Sequence, residues 1–244
     1  MKQKDMRFLQ FYPLGDSAIV LQFGAIISPE IHHKVRAFAN YLQKHPFPGL
    51  VEFVPAFTTV TVYYNPWLVS EKGNVDPYEK VLGIMKSMLI KTKENTETYK
   101  ADTIKIPVCY GGSFGPDLEF VAAYTKLTPE KVIYYHSKVT YLVYMIGFAP
   151  GFPYLGGMNK KIAAPRKETP RSVIPAGSVG IAGNQTGIYS IETPGGWQLI
   201  GRTPISVFNP QQENPSLLRA GDTIRFIPIT EQEYNLRKEQ QHAS

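Results

Sequence analysis

Apolar and polar positions alternate over the first hundred residues in a way that predicts strands interleaved with helices. Apolar runs at 18–23, 50–54 and 58–64 have the length and bounding residues of strands. Between and after them, apolar residues recur at helical spacing following Ser28 and again over 78–91. This order predicts a small α/β sandwich at the start of the chain.

The first helix carries a clear start signal. Ser28 suits the N-cap and Pro29 the first helical position, and a single stripe contains Ile31, Val35, Phe38 and Leu42. His32 and His33 fall beside that stripe, and we expect both to face solvent.

The second half of the pattern is dominated by short strands. The polar segment 91–102 predicts a linker, which divides the chain into domains at 1–95, a ferredoxin-like α/β unit, and 96–244. A strand at 104–110 and helices at 118–124 and 129–135, the latter capped by Thr128, open the second domain. The remaining strands alternate with glycine and proline turns, which predicts a closed or partly closed barrel: 179–182, 188–191, 198–201, 205–208 and 223–228. A helix with the capping box Thr230 and Glu233 ends the pattern.

Composition excludes several classes of protein. The chain has 244 residues, 43% of them hydrophobic, which suffices for true cores, and one cysteine, which excludes an internal disulfide. Its net charge of +6 comes from scattered lysines and arginines, so we expect no nucleic-acid partner. It shows neither an apolar run that could span a membrane nor a signal peptide, and we expect a cytoplasmic protein.

The segment 147–157, GFAPGFPYLGG, is the most unusual in the chain. Its glycines and prolines specify the backbone sharply and exclude a helix or an ordinary strand. It also carries Phe148, Phe152, Tyr154 and Leu155, which must either fill the barrel core or line a binding cleft. Both alternatives stay open from the sequence.

Two polar residues are candidates for chemistry. His136 lies just before the apolar run that leads into 147–157, where it can act as acid or base at the mouth of a barrel, or serve as a structural histidine. Arg171, beside Arg166, can bind a carboxylate or phosphate through its guanidinium fork, or pair with a nearby acidic residue. The chain contains no metal-ligand constellation, nucleophile elbow or phosphate loop, which indicates that it works with partners.

The second half also carries a family resemblance. The residues that carry it are His136, Tyr141 with Val143, the segment GFAPGFPYLGG, the segment PRKETPRSVIPAGSVGIAGNQTGIYSIETPGGWQLIGRTP, and Gly221–Phe226. Through them the chain resembles the B subunit of bacterial 5-oxoprolinase, a family also called allophanate hydrolase subunit 1-like or carboxyltransferase domain C/D. The first domain matches more loosely, through Leu14–Asp16 and Val54–Ala56.

The resemblance implies an α+β fold with a small α/β N-terminal domain and a cyclophilin-like β-barrel C-terminal domain. It implies that the A subunit and the cyclophilin-like C subunit of 5-oxoprolinase join this chain to open 5-oxo-L-proline to L-glutamate using ATP, with no cofactor bound by this chain alone and no metal. The family's motif positions fall on two candidate catalytic residues, His136 and Arg171. They also fall on a candidate substrate-binding set: Phe148, Pro150, Gly151, Phe152, Tyr154, Gly177, Ser178, Gln185 and Trp197.

Two other functions follow from the same resemblance. The family includes the Kip inhibitor of a sporulation histidine kinase, so Phe148, Phe152 and Tyr154 could instead grip a helical kinase partner. Prolyl isomerase activity would rest on the cyclophilin-like barrel alone, and a fold does not fix a function.

Overall fold

The computed structural model describes residues 9–94 and 103–242. Contacts divide the chain into two compact units, Met1–Lys100 and Ala101–Ser244. The predicted domain limit at 95/96 lies outside the described residues, as does most of the predicted linker 91–102. These limits therefore stay a prediction.

The first unit is a four-stranded antiparallel sheet with helices packed against it. The sheet order is β1-β2-β4-β3, and β4 alternates half-buried and buried positions along its length, as a strand with one core face does. The elements of the unit are β1 (Gln10–Pro13), β2 (Ala18–Gln22), α1 (Pro29–Lys44), β3 (Leu50–Pro55), β4 (Thr59–Tyr64), α2 (Pro66–Val69) and α3 (Pro77–Glu94).

The chain order of this unit differs from that of a ferredoxin-like domain. A ferredoxin-like chain runs βαββαβ, whereas this one runs ββαββ followed by helices. Strands β2, β4 and β3 keep the ferredoxin-like neighbours, but β1, which the sequence pattern did not predict, supplies the edge beside β2 from the N-terminal side. The α/β sandwich is confirmed, with its fourth strand first in the chain.

The predicted helix caps are confirmed. The backbone N–H of Ile31 donates to Ser28 Oγ at 3.2 Å, and Thr128 caps the helix that follows it. At the last helix, the N–H of Glu233 donates to Thr230 Oγ1 and the N–H of Thr230 donates to Glu233 Oε2. This reciprocal pair is a capping box.

The expectation that His32 faces solvent is wrong. His32 is 1% exposed and packs within α1 beside Val35, Ala39 and Leu42, which form a stripe of their own at helical spacing. Burial lowers the pKa of His32 to about 4, so the ring is neutral at physiological pH. An apolar stripe counted from His32 at helical spacing would have predicted that this side chain is buried.

The second unit is built on a closed seven-stranded barrel, in the order β10-β7-β6-β13-β5-β12-β9, with β9 pairing back to β10. Neighbouring strands are antiparallel except β5 and β13, which run parallel from Thr223↔Thr103 to Ile229↔Cys109. The elements of the unit are β5 (Thr103–Tyr110), α4 (Leu118–Thr125), α5 (Pro129–Ser137), β6 (Tyr141–Ile146), β7 (Pro153–Gly156), β8 (Arg171–Ile174), β9 (Ser178–Ala182), β10 (Gln185–Ile188), β11 (Thr193–Gly195), β12 (Gln198–Arg202), β13 (Thr223–Ile229) and α6 (Glu231–His242).

The predicted α+β fold with a barrel is confirmed, and three local expectations are corrected. Residues 205–208 form no strand, and only Phe208 makes an isolated bridge there. The strand expected at 188–191 lies at Gln185–Ile188 instead. Residues 153–156 of the glycine-rich segment form β7, an ordinary barrel strand between β6 and β10, because Pro153 opens the strand and leaves the later amides free to pair.

No helix of the described residues is long and apolar enough to cross a membrane.

Candidate functional site

The segment before β7 makes a tight turn that projects one aromatic side chain outward. Phe148 is 64% exposed and has a φ of +69°, a left-handed conformation that costs a non-glycine residue about 1–2 kcal/mol. Gly151 also has a positive φ, and a Cβ on it would lie 2.6 Å from Phe208. The turn therefore holds an exposed ring in a strained backbone, an arrangement found more often at functional sites than elsewhere.

Four other aromatic rings form a compact cluster, here called the aromatic cluster: Phe152, Tyr154, Tyr189 and Trp197. The ring of Phe152 lies at its centre and meets each of the other three edge to face, at centroid distances of 5.2–5.6 Å. Phe148 packs on Phe152 from the exposed side. Of the two alternatives for 147–157, neither describes Phe152 fully, because it is buried in this second core and not in the barrel core.

The aromatic cluster lies against the outer face of the barrel wall. Successive residues of a strand face opposite sides, and Ile181 belongs to the barrel core while Ala182 belongs to the aromatic cluster. Gly180 on β9 pairs with Gly187 on β10, so neither strand projects a side chain from the wall at this point. A Cβ on Gly187 would come 2.8 Å from the ring of Phe152, so glycine is needed for this packing.

An ion cluster adjoins the aromatic cluster. Arg171 Nη2 donates to Asp117 Oδ1 at 2.7 Å, and Lys167 Nζ lies 3.5 Å from the same oxygen. The other oxygen, Asp117 Oδ2, accepts from the backbone N–H of Leu199 at 2.7 Å. Burial opposes ionisation of Asp117, but these donors and cations outweigh it and lower the pKa of the carboxyl below its ordinary value. Asp117 is thus a buried carboxylate that fixes Arg171.

Positive charges of the neighbouring arginines act on the hydroxyl of Tyr189 in the aromatic cluster. Burial raises the pKa of the Tyr189 hydroxyl, whereas a backbone hydrogen bond with Trp197 and the positive charges of Arg166 and Arg171 act in the opposite direction. The phenol of Tyr189 is therefore protonated at neutral pH and lies within the field of both arginines. The structure thus combines an apolar wall with fixed cationic donors.

His136 does not lie at a barrel mouth as expected. It is 0% exposed, and Phe226 stacks on its ring at 4.4 Å inside the barrel core. Its Nδ1 lies 2.7 Å from Tyr110 Oη, and its Nε2 lies 2.9 Å from Thr186 Oγ1. The reason is the register of α5, which places His136 on the buried face of the helix together with Val132.

The hydrogen bonds around His136 define its protonation. Thr186 Oγ1 has one proton, which it donates to the Gly180 carbonyl at 2.9 Å, so it accepts from His136 Nε2–H. Nδ1 must then accept from Tyr110, whose pKa burial raises well above its ordinary value. Burial lowers the pKa of His136 to about 3, which keeps the ring neutral. This geometry favours the structural alternative over acid–base chemistry.

The other predicted site residues divide into two groups. Arg171, Trp197 and Tyr154 join Phe152 around the two clusters, and the carbonyl of Pro150 accepts from Ser190 Oγ, on the residue that follows Tyr189. The others hold the backbone of the barrel strands. Gly177 has a positive φ in the turn before β9, Ser178 Oγ donates to the Pro175 carbonyl at 2.7 Å, and Gln185 begins β10 opposite Ala182.

Sequence reasoning missed Asp117 and Gln198. Asp117 joins the site from a turn 54 residues before Arg171 and 82 before Leu199, a separation that no local pattern reports. Gln198 is 3% exposed, and its Nε2 donates to the Pro165 carbonyl at 3.0 Å. Its place at the start of the predicted strand 198–201 was the one available signal, because a polar side chain buried in a barrel needs hydrogen-bond partners.

The chain is similar to known proteins. The family model described as carboxyltransferase domain, subdomain C and D, matches residues 9–218. The chain belongs to this family. A protein of Bacillus subtilis, named as the B subunit of 5-oxoprolinase, is 51% identical over 95% of this chain and 97% of its own length. A protein of Escherichia coli O157:H7 with the same name is 40% identical over 93% of this chain and 99% of its own length. The family resemblance predicted from the sequence is confirmed.

One solved structure extends the comparison to longer chains. The protein TTHA0988 superposes with a TM-score of 0.74 at 36% identity, and the match covers 87% of this chain but 40% of that one. The fold of this chain therefore also occurs as one part of a larger polypeptide.

Proposed function

We propose that this chain is the B subunit of an ATP-dependent 5-oxoprolinase, a hydrolase complex that opens 5-oxo-L-proline to L-glutamate. The observation that carries this proposal is the near full-length similarity, at 40–51% identity, to bacterial proteins named as the B subunit of 5-oxoprolinase. On this proposal the chain is inactive alone, acts in the cytoplasm and needs the A and C subunits. ATP is consumed by the complex and is not bound by this chain alone.

The site has the chemistry that such a substrate requires. 5-Oxoproline is an anion with an apolar ring edge, a lactam group and a carboxylate. An apolar wall beside fixed cationic donors suits an anion of this kind, and arginine is well matched to carboxylates. Arg171, held by Asp117 beside the aromatic cluster, supports a role in anchoring the substrate or in neutralising charge that develops during ring opening.

His136 enters this proposal as a positioning residue of the barrel. Its neutral ring and two hydrogen-bonded nitrogens fix strand β10 through Thr186, and β10 carries Gly187 at the base of the aromatic cluster. Because neither ring nitrogen is left for a substrate, His136 stabilises the wall and we assign it no step in turnover.

Phe148 is the side chain best suited to contact a partner subunit. It is a large exposed ring on a strained turn, and aromatic residues of this kind are enriched among the residues that contribute most to interfaces. The occurrence of the same fold within longer chains is consistent with a neighbour that is always present.

The proposal is tested by measuring ATP-dependent release of glutamate from 5-oxoproline. The purified chain is assayed alone and then mixed with the A and C subunits encoded in the same genome. We expect activity only in the mixture. Activity of the mixture without this chain, or silence of a verified three-part complex, would overturn the proposal.

The same preparation tests the alternative function, inhibition of a histidine kinase. An isolated chain that inhibits autophosphorylation of a sporulation-type histidine kinase, while a verified three-part complex stays silent towards 5-oxoproline, would identify a regulatory binding protein. Because Phe152 is buried in the aromatic cluster, such a kinase contact would have to use Phe148 and the exposed part of Tyr154.

A further inference from the structure

One terminal nitrogen of Arg171 is buried without a use in the fold. Nη2 donates to Asp117 Oδ1 at 2.7 Å, whereas Nη1 has no hydrogen-bond partner among the described residues. Buried polar groups are nearly always paired in folded proteins, and each exception calls for an explanation.

A β-bulge aims the side chain of Arg171 toward the aromatic cluster. In the two-stranded sheet of β8 and β11, Arg171 pairs with Gly195, and Ile174 pairs with Thr193. The two partners in β11 are two residues apart and those in β8 are three apart, so β8 holds one extra residue between them. The extra residue turns Arg171 to the same face as Ile174, which packs against the aromatic cluster.

The hydroxyl group of Tyr189 lies on that face too, beside the strand position opposite Arg171. Cross-strand partners project to the same face of a sheet, and a Cβ on Gly195 would come 2.5 Å from Tyr189 Oη. The other end of Arg171 borders the same cluster, because its partner Asp117 accepts from the N–H of Leu199, whose side chain packs there. Arg171 therefore runs along the aromatic cluster and begins next to the phenol of Tyr189.

The hydroxyl group of Tyr189 is a second donor at this place. Its oxygen accepts from the backbone N–H of Trp197, and its proton has no acceptor among the described residues. Burial raises the pKa of this phenol, so the proton is kept at neutral pH, and the positive charges of Arg166 and Arg171 act on the same group. Two donors in a positive field suit an anion with two acceptor oxygens, as a carboxylate has.

We propose that Arg171 Nη1 and Tyr189 Oη together bind the carboxylate of the substrate, one donor to each oxygen. This inference rests on the proposed function. It adds Tyr189 to the site and assigns Arg171 to anchoring the substrate, not to neutralising charge during ring opening. The carboxylate of 5-oxoproline is present before the lactam is attacked, so the contact is equally strong in the ground state and in the transition state. Its loss raises KM and leaves kcat nearly unchanged.

Binding requires a local movement, because Nη1 does not reach solvent in the structure. The segment 165–170 lies beside the guanidinium group. Lys167 Nζ is 3.5 Å from the Asp117 oxygen that Arg171 holds, and the N–H of Lys167 donates at 2.7 Å to the carbonyl of Gly196. A carboxylate reaches Nη1 only when this segment shifts.

The test uses the assembled three-subunit complex and two compounds. KM and kcat are measured for 5-oxoproline, and the inhibition constant is measured for 2-pyrrolidinone, which has the lactam but no carboxylate. Tyr189→Phe removes the hydroxyl donor, and Arg171→Lys keeps a positive charge but removes the second guanidinium nitrogen. The matched controls are Tyr234→Phe and Arg237→Lys, which change a buried tyrosine and an exposed arginine of α6.

Both site variants are expected to weaken binding of the carboxylate selectively. Each should raise the KM for 5-oxoproline about 10-fold, because a hydrogen bond to a charged group is lost, and should change kcat by less than about 2-fold. Inhibition by 2-pyrrolidinone should stay as in the parent complex. Both controls should match the parent in every constant.

The outcomes separate this inference from the proposed function. A parent complex that does not hydrolyse 5-oxoproline would overturn the proposed function and, with it, the inference. An active parent complex in which either folded site variant keeps the parent's KM would overturn the inference alone. A lower kcat with unchanged KM would assign Arg171 to the developing charge, which also contradicts the inference.

Folding is checked by thermal unfolding, because Tyr189→Phe also removes the acceptor of the Trp197 N–H. A loss of stability lowers the amount of complex and leaves the KM of the remaining complex unchanged. Equal weakening of 5-oxoproline and 2-pyrrolidinone would indicate a distorted aromatic cluster and would count against a carboxylate site.

Discussion

The barrel core and the aromatic cluster lie on opposite faces of the same wall of β-strands. The polar side chains on the two faces differ in how fully they are hydrogen-bonded. In the barrel core both ring nitrogens of His136 are hydrogen-bonded, to Tyr110 and Thr186. Beside the aromatic cluster, Arg171 keeps one buried nitrogen, Nη1, without a hydrogen-bond partner among the described residues. The ring of His136 is therefore saturated within the chain, whereas the guanidinium of Arg171 retains an unused donor.

This difference changes which residue is the better functional candidate. A histidine near a glycine-rich segment invites a catalytic role, but burial of His136 and saturation of its ring leave it no free atom to offer a substrate. Arg171 has an acidic partner, which alone would suggest a structural ion pair. Its second terminal nitrogen, Nη1, is buried without a hydrogen-bond partner among the described residues, which a purely structural ion pair does not require.

The largest expected effect is on the stability of the barrel core. His136→Ala removes a fully buried ring and leaves Tyr110 and Thr186 without their partner, so the free energy of unfolding should fall by about 3–5 kcal/mol. We expect turnover per folded complex to change little. Urea unfolding of the chain and glutamate release by the complex measure the two quantities, with exposed His33→Ala as the control. A stable variant without turnover would instead make His136 catalytic.

A smaller effect concerns pH. The folded pKa of His136 is about 3, below its ordinary value of 6.5, so between these values the unfolded chain binds a proton that the barrel does not. Stability is therefore full above pH 6.5 and falls by up to about 1.4 kcal/mol per unit as pH is lowered. His136→Gln should reduce the slope between pH 6.5 and 5 by about half, because His32 contributes the same sign.

Urea unfolding at a series of pH values measures this slope. A slope that His136→Gln does not alter would mean that the histidine titrates alike in the folded and unfolded chain, contrary to its position in the barrel core.

The smallest expected effect concerns Phe148, which packs on the aromatic cluster. Phe148 has a left-handed backbone, so Phe148→Gly should be about 0.5–1 kcal/mol more stable than Phe148→Ala. Both variants should weaken subunit assembly about 10-fold, because the ring is absent from each. Thermal unfolding and titration of the partner subunits test these two expectations, with exposed Phe120→Ala as the control for assembly.

Two results would contradict this view of Phe148. Equal stability of the glycine and alanine variants would mean that the backbone is not strained in solution. Assembly unchanged in both would assign the partner contact to another surface.

Local signals in the sequence predicted what local forces decide. Ser28, Thr128 and the pair Thr230 and Glu233 satisfy helix N–H groups within three residues of themselves, so their roles could be predicted from spacing. Most of the predicted barrel strands and both short helices of the second unit lie near their observed positions for the same reason. The strand at 205–208 was wrong because apolar composition alone cannot decide whether a pairing partner exists.

The candidate site could be predicted only in part, because its contacts are distant in sequence. Arg171, Phe152, Tyr154 and Trp197 were found from local composition together with the family resemblance. Asp117 was not, since its connection to Arg171 spans 54 residues and is created by the barrel. The expected mouth position of His136 also depended on tertiary structure, because chain position near a loop does not reveal which way a helix face points.

The parallel pairing of β5 with β13 has a consequence for synthesis of the protein. β5 opens the barrel unit and β13 is its last strand, and β13 also pairs with β6. A nascent chain interrupted before residue 223 therefore presents two unpaired strand edges, which favour aggregation. One interrupted after residue 229 can close its barrel, so the seven residues of β13 separate a foldable product from a substrate for chaperones and proteases.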